Sequence, residues 1–250
     1  MRYFLKLAYN GKNYFGWQMQ PNALTVQEVL TKTLSLLLKE NIELIGAGRT
    51  DTGVHAKEFY AHFDTLHLFT DENKSDFIRR INSFLPQDIV VYDILNVNQQ
   101  AHARFDALTR TYRYYVTTQK NPFTNIFTHR FFYIPDIEKM NICCKKMINY
   151  TDFTSFSKVH TQTKTNDCRI THARWFFENN LFVFEITADR FLRNMVRAIV
   201  GTLLDVGRGK LSIDNFCTII EQKNRSFAGV SVPAHALFLE KIVYSEAVWQ

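Results

Sequence analysis

Hydrophobic and polar positions along the first forty residues predict a strand followed by an amphipathic helix. The stretch from Tyr3 to Tyr9 is rich in β-prone residues and ends at Asn10-Gly11, a dipeptide that favours turns. A capping box follows at Thr25 to Glu28, where the threonine hydroxyl can accept the backbone N–H three residues on. Behind it, apolar residues recur at helical spacing from Val26 to Leu37.

The remaining pattern interleaves strands and helices, in two similar halves. The predicted elements are strands at 59–63, 88–97, 109–118, 130–133, 169–177, 181–187 and 237–244, with helices at 75–84, 137–150, 191–206 and 213–222. Residues 157–167 contain no apolar run and are predicted to form an exposed loop. This order predicts an α+β fold of two α/β halves with mixed, mainly antiparallel sheets flanked by helices and a cleft between them. The predicted domains are 1–100 and 101–250.

Composition excludes several classes of protein. Hydrophobic residues make up 46% of the chain and charged residues 22%, a balance typical of globular domains rather than disordered ones. No apolar run approaches the ~20 residues needed to cross a bilayer, and the N-terminus has the pattern of a strand rather than a signal peptide. The four cysteines lack C-x-x-C spacing and are expected to be reduced and structural. We therefore expect a cytoplasmic protein without a membrane or metal partner.

Charge is unevenly distributed along the chain. The net charge is +6, and basic residues concentrate at 157–175 and 190–210, whereas acidic residues concentrate at 64–76. A basic protein of this size can simply be basic, but such segregation would give one face a positive field. A polyanion such as a nucleic acid is the partner that this field suits.

The stretch with candidate chemistry runs from Gly46 to Ala56, with the sequence GAGRTDTGVHA. Its three glycines are expected to let the backbone turn tightly and a ligand approach closely. An aspartate presented on such a loop, Asp51, is a candidate nucleophile or base. The ordinary alternative is an Asx-turn cap. The triplet from Asp51 to Gly53 also matches aspartic proteases, but that chemistry needs two such carboxylates and only one triplet is present.

This glycine-rich loop closely resembles the catalytic loop of the tRNA pseudouridine synthase A family, G-A-G-R-T-D-x-G-V-H. The resemblance continues in the same order along nearly the whole chain. Other matching segments are FGWQMQ at 15–20, TVQ at 25–27, AHAR at 101–104, RTYRY at 110–114, DFTSF at 152–156, FLRNMVR at 191–197 and PAHAL at 233–237. Two departures are visible: Thr52 stands where alanine is commoner, and Ala236 stands where glycine is usual.

The resemblance implies an isomerase with the pseudouridine synthase fold, which converts uridine to pseudouridine in the anticodon stem-loop of tRNA, at positions 38–40. The reaction moves the glycosidic bond from N1 to C5 of the same base, so no cofactor and no metal are expected. Asp51 would be the essential carboxylate, acting as nucleophile or as general base. Arg197 would hold that carboxylate in its charged form. On the predicted helix, Arg193 lies one turn before Arg197, beside the apolar residues Leu192, Val196 and Val200. One of the two arginines could therefore point into a groove while the apolar residues pack. The ordinary alternative for Arg197 is a solvated helix face.

The resemblance also implies substrate-binding roles for three residues. Tyr112 would stack on the target uracil, Arg49 would fill the stack that the flipped base leaves or bind phosphate, and Leu237 would line the uracil pocket. Strand alternation puts Tyr112 and Tyr114 on one face; core packing is the ordinary alternative for Tyr112 and is the role expected for Tyr114. Core packing is also the alternative for Leu237, and a loop salt bridge is the alternative for Arg49. His55, a lone loop histidine, is expected to be structural.

The partner implied by the resemblance is tRNA, bound by a homodimer. The candidate phosphate contacts are basic residues from the positive region at 157–175 and from the central motifs, which would make binding depend strongly on salt. They are Arg104, Arg110, Lys158, Lys164 and Arg169. A non-catalytic RNA-binding module with the same basic groove and a hydrolase using the aspartate triplet remain the competing functions.

Overall fold

The computed structural model describes residues 1–158 and 165–250. These residues group into two compact units, 1–108 with 239–250 and 109–238. The domains predicted at 1–100 and 101–250 stay a prediction. The predicted α+β class is confirmed, since helices and mainly antiparallel strands alternate in both units. None of the helices in the described ranges is long and apolar enough to cross a membrane.

In the first unit, an antiparallel sheet is built around the N-terminal strand. Its strands, numbered along the chain, take the order β4-β1-β3-β9, and the short β2 pairs with β3. The elements are β1 (Arg2–Tyr9), α1 (Val26–Leu38), β2 (Ile45–Gly46), β3 (His55–Asp64), α2 (Asp71–Phe84), β4 (Ile89–Asn96) and β9 (Leu237–Tyr244), of which residues 239–244 belong to this unit.

Strand β1 is buried on both faces, which explains its nearly continuous apolar sequence. On one face Tyr3 meets Phe69 edge-on, with ring centroids 5.0 Å apart, and Phe69 in turn packs on Phe77 of α2. On the other face Phe4 lies 5.3 Å from Tyr244 and 5.8 Å from Trp249, ring centre to ring centre. Burying this many aromatic groups makes the strand the core of the unit.

In the described part of the second unit, strands pair in the order β5-β8-β7, and three α-helices accompany them. The short β6 runs parallel to β5. The elements are β5 (Ala107–Thr117), β6 (His129–Arg130), α3 (Ile137–Met147), β7 (Ile170–Glu178), β8 (Leu181–Ala188), α4 (Met195–Gly207) and α5 (Ile213–Glu221). Asn179 and Asn180, both with positive φ, form the tight turn between β7 and β8. The cysteines Cys143 and Cys144 are buried in α3, and burial raises the pKa of the Cys143 thiol to about 12.

Three predicted boundaries in this unit are wrong. The helix expected at 137–150 ends at Met147, where the chain enters a turn. The helix expected at 191–206 begins only at Met195, because Asn194 takes a left-handed conformation with φ of 67° and interrupts the helical turn. Its side-chain amide donates a hydrogen bond of 2.6 Å to Ser231 Oγ, which holds it there. The strand expected at 130–133 is reduced to His129–Arg130, which pair with Val116 and Thr117 of β5. The Phe131 N–H still donates to the Thr117 carbonyl oxygen over 2.8 Å, and the chain bends at the two residues that follow.

Candidate active site

Asp51 lies in a tight turn that is closed by backbone atoms. The N–H of Val54 donates to the Asp51 carbonyl oxygen over 3.1 Å, and Gly53 takes a φ of 80°. A turn of this kind needs a positive φ at its third position, which glycine supplies without steric cost. The turn therefore closes through the Asp51 main chain, so closure does not require the carboxylate that the Asx-turn alternative would use.

The end of β1 and the segment that follows it contact this turn. The N–H of Gly53 donates to the Tyr14 carbonyl oxygen over 3.3 Å, and the Tyr9 hydroxyl lies 2.9 Å from Thr50 Oγ1. Gly16, with φ of 87°, is so close to the loop that an added Cβ would collide with the Thr50 carbonyl oxygen. The motif at 15–20 is thus a structural support for residues 50–53.

The three glycines of the loop have different structural roles, whereas the sequence predicted that all three would allow a tight backbone turn and the close approach of a ligand. Gly53 alone has a positive φ. Gly46 belongs to β2, where an added Cβ would collide with the indole of Trp17. A Cβ on Gly48 would meet no heavy atom within 4 Å. The spacing of glycines in the sequence does not distinguish these three situations.

Gly16→Ala is expected to lower the free energy of unfolding by at least about 2 kcal/mol, because left-handed backbone strain adds to the collision with Thr50. Gly48→Ala is the matched control, since its Cβ would enter open space. We expect it to change stability by no more than about 0.5 kcal/mol. Urea unfolding of both variants measures this difference. Equal free energies of unfolding would contradict the close approach of Gly16 to the Thr50 carbonyl oxygen.

The helix after this segment is also tied to the loop region. Thr25 caps α1 by accepting the Glu28 N–H over 3.3 Å, as the capping box predicted, while the Glu28 carboxylate pairs with Lys32 at 2.6 Å. The Gln27 side chain accepts the Met19 N–H and donates to the Leu44 carbonyl oxygen, both over 2.7 Å. Gln27 therefore links the segment before α1 to the residues that lead into the loop.

Two other residues of the loop differ in exposure. His55 is buried, and its Nδ1 accepts the N–H of Gly11 over 3.0 Å, which agrees with the structural role expected for it. Arg49 is exposed, and no ion pair to it occurs within the parts of the chain that the structure describes. The loop salt bridge considered as its alternative is therefore not observed there. Its role toward RNA stays a prediction.

In the second unit, Tyr112 and Tyr114 share one face of β5. Tyr112 is half-buried and meets Phe191 edge-on with ring centroids 5.1 Å apart. Tyr114 is fully buried, and its hydroxyl donates to the Pro233 carbonyl oxygen over 2.9 Å. Burial raises the pKa of the Tyr114 phenol. Core packing, expected for Tyr114, is thus confirmed, and the more open Tyr112 stays the candidate for stacking on a base.

Arg197 lies in the first turn of α4 and is half-buried. Its Nε donates to the Val232 carbonyl oxygen over 2.7 Å, so it is not part of a solvated helix face. The placement of Arg193 one helical turn before it is wrong, because Arg193 precedes the start of α4. The apolar residues expected beside Arg197, among them Val196 and Val200, are buried as predicted.

Leu237 and Ala236 are both buried at the start of β9. A short 3-10 turn at Ala234–Ala236 leads into the strand, and the N–H of Leu237 donates to the Ala234 carbonyl oxygen. Burial suits both the pocket wall and the strand core that were expected for Leu237. Its contact with uracil stays a prediction.

The candidate phosphate contacts fall into several places. Arg104 is exposed and stacks on Phe105, while its N–H donates to His102 Nδ1. The Arg110 guanidinium donates to the Asp189 carbonyl oxygen over 2.7 Å. The Arg169 side chain is exposed, and the backbone N–H of Arg169 donates to Asp189 Oδ1. Lys158 is exposed, and Lys164 lies outside the described residues. Their contacts with RNA stay predictions.

The loop that carries Arg104 rests on a buried histidine that the sequence did not single out. His62 Nδ1 accepts the N–H of Ala103 over 3.1 Å, and the rings of His62 and His102 lie 4.6 Å apart. Burial, with positive charge on His102 and Arg2, lowers the pKa of His62 to about 4. The ring is therefore neutral near pH 7, as an acceptor at Nδ1 must be.

Comparison with known proteins identifies the class of this fold and these motifs. Residues 144–245 match a protein family described as tRNA pseudouridine synthase. A protein of Parabacteroides distasonis called tRNA pseudouridine synthase A is 53% identical over 251 residues, which cover 99% of this chain and 98% of that protein. Proteins of the same name from Clostridium acetobutylicum and Caldicellulosiruptor bescii are 39% and 37% identical, each over 96% of this chain and 98% of their own.

Identities of this size over nearly the full length leave no doubt about descent. The chain belongs to the tRNA pseudouridine synthase A family. This confirms the resemblance seen in the loop at 46–56 and in the segments around it. It also confirms the predicted fold class and the prediction that the chain is an isomerase.

Proposed function

We propose that this chain isomerises uridine to pseudouridine in tRNA, at positions 38–40 of the anticodon stem-loop, with Asp51 as the essential carboxylate. The observation that carries the proposal is the turn at 51–54, which closes through the hydrogen bond from the Val54 N–H to the Asp51 carbonyl oxygen. A carboxylate that is not needed to build its own turn can act on a ligand, either as nucleophile or as general base. The full-length relatives named as tRNA pseudouridine synthases support the reaction.

The reaction needs a uridine that has left its stack, because a paired base hides the reacting atoms. Extruding a base costs roughly a few kcal/mol. We propose that exposed Arg49 offsets part of this cost by occupying the vacated stack or binding phosphate there. Tyr112 stacks on the uracil and Leu237 forms an apolar wall, while Arg197 supplies the positive charge that keeps Asp51 ionised.

Basic side chains position the tRNA through its phosphates. Arg104, Arg110, Lys158, Lys164 and Arg169 are proposed for this role. Phosphate contacts carry no sequence information but make affinity fall steeply with salt. The substrate is found in the cytoplasm, and we propose that the protein acts there.

We propose that two copies of the chain form a homodimer. Supporting this, large apolar side chains are unusually exposed in one segment of the second unit, with exposed fractions of 87% for Phe123, 77% for Phe132 and 83% for Ile134. Large apolar side chains that stay exposed are typical of protein interfaces.

Ile134→Ser is expected to weaken the dimer by about tenfold or more, because it removes an apolar anchor from the interface. Leu66→Ser, which alters a side chain 93% exposed in the first unit, is the control and should leave the association unchanged. Analytical ultracentrifugation over a concentration series measures both dissociation constants. A wild-type chain that sediments as a monomer at all concentrations would contradict the dimer.

Release of the uridine C5 hydrogen tests the proposed reaction, since that bond breaks in every turnover when C5 joins the ribose. Purified protein is incubated with undermodified tRNA that carries tritium at C5, and the label released into water is counted. The proposal expects stoichiometric release. A protein that binds this tRNA without releasing label would be the non-catalytic module. The hydrolase alternative would require peptide cleavage, and the family found for the chain gives it no support.

A further inference from the structure

A short segment of the second unit, residues 228–233, lies along α4 and is fastened at nearly every residue; we call it the brace. Its close contact with α4 depends on Gly201, where an added Cβ would collide with the Val230 carbonyl oxygen. The N–H of Gly229 donates to Thr202 Oγ1 over 2.9 Å. Near the end of the brace, the Tyr114 hydroxyl donates to the Pro233 carbonyl oxygen over 2.9 Å.

The brace forms a two-point contact with Arg197. The N–H of Val232 donates to the Arg197 carbonyl oxygen over 3.2 Å, and Arg197 Nε donates to the Val232 carbonyl oxygen over 2.7 Å. The first bond fixes the main chain of Val232 against the helix. The second fixes the direction of the guanidinium, because Nε is the atom from which the planar group extends. The orientation of Arg197 therefore depends on where the brace holds Val232.

Arg225 fastens the brace just before Val232. Its Nη1 donates to the Ala228 carbonyl oxygen over 3.3 Å, and its Nη2 donates to Ser231 Oγ over 2.9 Å. The same Ser231 oxygen accepts the side-chain amide of Asn194 over 2.6 Å. Asn194 is the residue directly before α4. Arg225 thus links Ala228, the first residue of the brace, to Ser231, and Ser231 in turn accepts a hydrogen bond from the residue that precedes the helix of Arg197.

Arg225 is an unusual choice for a merely structural position. It is half-buried, and burial lowers the pKa of its guanidinium. No carboxylate pairs with it anywhere in residues 1–158 or 165–250. Removing a cation from water costs free energy that only neutral acceptors offset here. We expect a protein to bear this cost where its function needs the fixed geometry of the N–H donors on the planar guanidinium.

We propose that Arg225 is a positioning residue for the reaction, which holds Ser231 and the brace so that the Val232 carbonyl fixes the guanidinium of Arg197. The inference rests on the proposed function only in its catalytic consequence. Its structural part concerns the Arg197–Val232 hydrogen bond alone. A residue that acts in this way should affect turnover rather than binding of tRNA.

The test compares Arg225→Met, which keeps the length and loses the donors, with Lys223→Met. Lys223 is two residues away and pairs with Asp152 at 3.0 Å, so the control removes the same charge from the same segment. We expect Arg225→Met to lower kcat by about tenfold or more, with KM for tRNA and the salt dependence of binding unchanged within about twofold. Ser231→Ala, a milder change, should lower kcat in the same direction.

Two further measurements separate positioning from other roles. If Arg225 acts through Arg197, the double variant Arg225→Met/Arg197→Ala should be no slower than Arg197→Ala alone, because alanine has already removed the donor to the Val232 carbonyl oxygen. An NMR measurement of the Arg197 Nε–H should show slow solvent exchange in the wild type and in Lys223→Met, and fast exchange in Arg225→Met and Ser231→Ala.

The outcomes are distinct. A raised KM with unchanged kcat and a shallower salt dependence would make Arg225 a phosphate contact and overturn the inference, as would fully additive losses in the double variant. Unchanged Nε–H exchange in a folded Arg225→Met would overturn it too. If the wild type formed no pseudouridine, the proposed function would fail, while the exchange measurement would still decide whether Arg225 orients Arg197.

Discussion

Asp51→Asn is expected to lower pseudouridine formation by at least about a thousandfold while tRNA binding persists. The amide keeps the shape of the carboxylate but can neither attack a nucleoside nor take up a proton. The turn should survive, because the Asp51 carbonyl oxygen closes it by accepting the Val54 N–H. We therefore expect the free energy of unfolding to change by no more than about 1 kcal/mol. Single-turnover release of the C5 hydrogen measures the loss.

The matched control is Asp76→Asn, which removes an exposed carboxylate of α2 that pairs with Arg79 at 3.0 Å. Its turnover should equal that of the wild type, since surface ion pairs of this kind contribute little. Both variants should bind tRNA with wild-type affinity. If Asp51→Asn released the label at the wild-type rate, Asp51 would not be the essential carboxylate.

Arg197→Ala is expected to lower kcat by about two to three orders of magnitude, with tRNA affinity reduced by no more than about threefold. The loss is large because a fixed positive charge beside a reacting group stabilises charge that water would otherwise have to solvate. We expect the affinity to change little because the Arg197 guanidinium is half-buried and held by the Val232 carbonyl oxygen, and the proposed role places it at the reacting group rather than on the phosphate backbone. Steady-state kinetics combined with equilibrium binding separate the two effects.

Arg208→Ala is the control for Arg197, since Arg208 follows the last turn of the same helix and pairs with Asp205 at 2.6 Å. It removes the same charge from the opposite end of α4 and should leave kcat unchanged. Normal turnover combined with weak, less salt-dependent binding in Arg197→Ala would identify Arg197 as a phosphate contact instead.

Local signals allowed much of the fold to be predicted from the sequence. The last strand was predicted with the bounds that β9 has, because its alternating pattern is flanked by clear breaks. Thr25 was predicted as a cap because capping depends on residues only three positions apart. The start of α4 was missed because Asn194 is held by Ser231, which is 37 residues away in the chain.

The candidate site could also be predicted only in part. The loop around Asp51 is recognisable because its residues are contiguous, and the resemblance to a family fixed its meaning. Its supports could not be predicted, because Tyr9 and Gly16 reach Thr50 only after the chain folds. Arg225 carries no signal at all in the sequence, where it is one basic residue among 30. Its importance comes from the absence of a carboxylate partner among the described residues and from its bond to Ser231.

Mapping pseudouridine in cellular tRNA, with and without this protein, tests the proposed function most directly. Cells that lack the protein should have uridine at positions 38–40 of the anticodon stem-loop where wild-type cells have pseudouridine. Re-expression of the wild-type chain should restore the modification, and re-expression of Asp51→Asn should not. Pseudouridine that persists at those positions without the protein, or that returns with Asp51→Asn, would contradict the assignment of this chain and of its carboxylate.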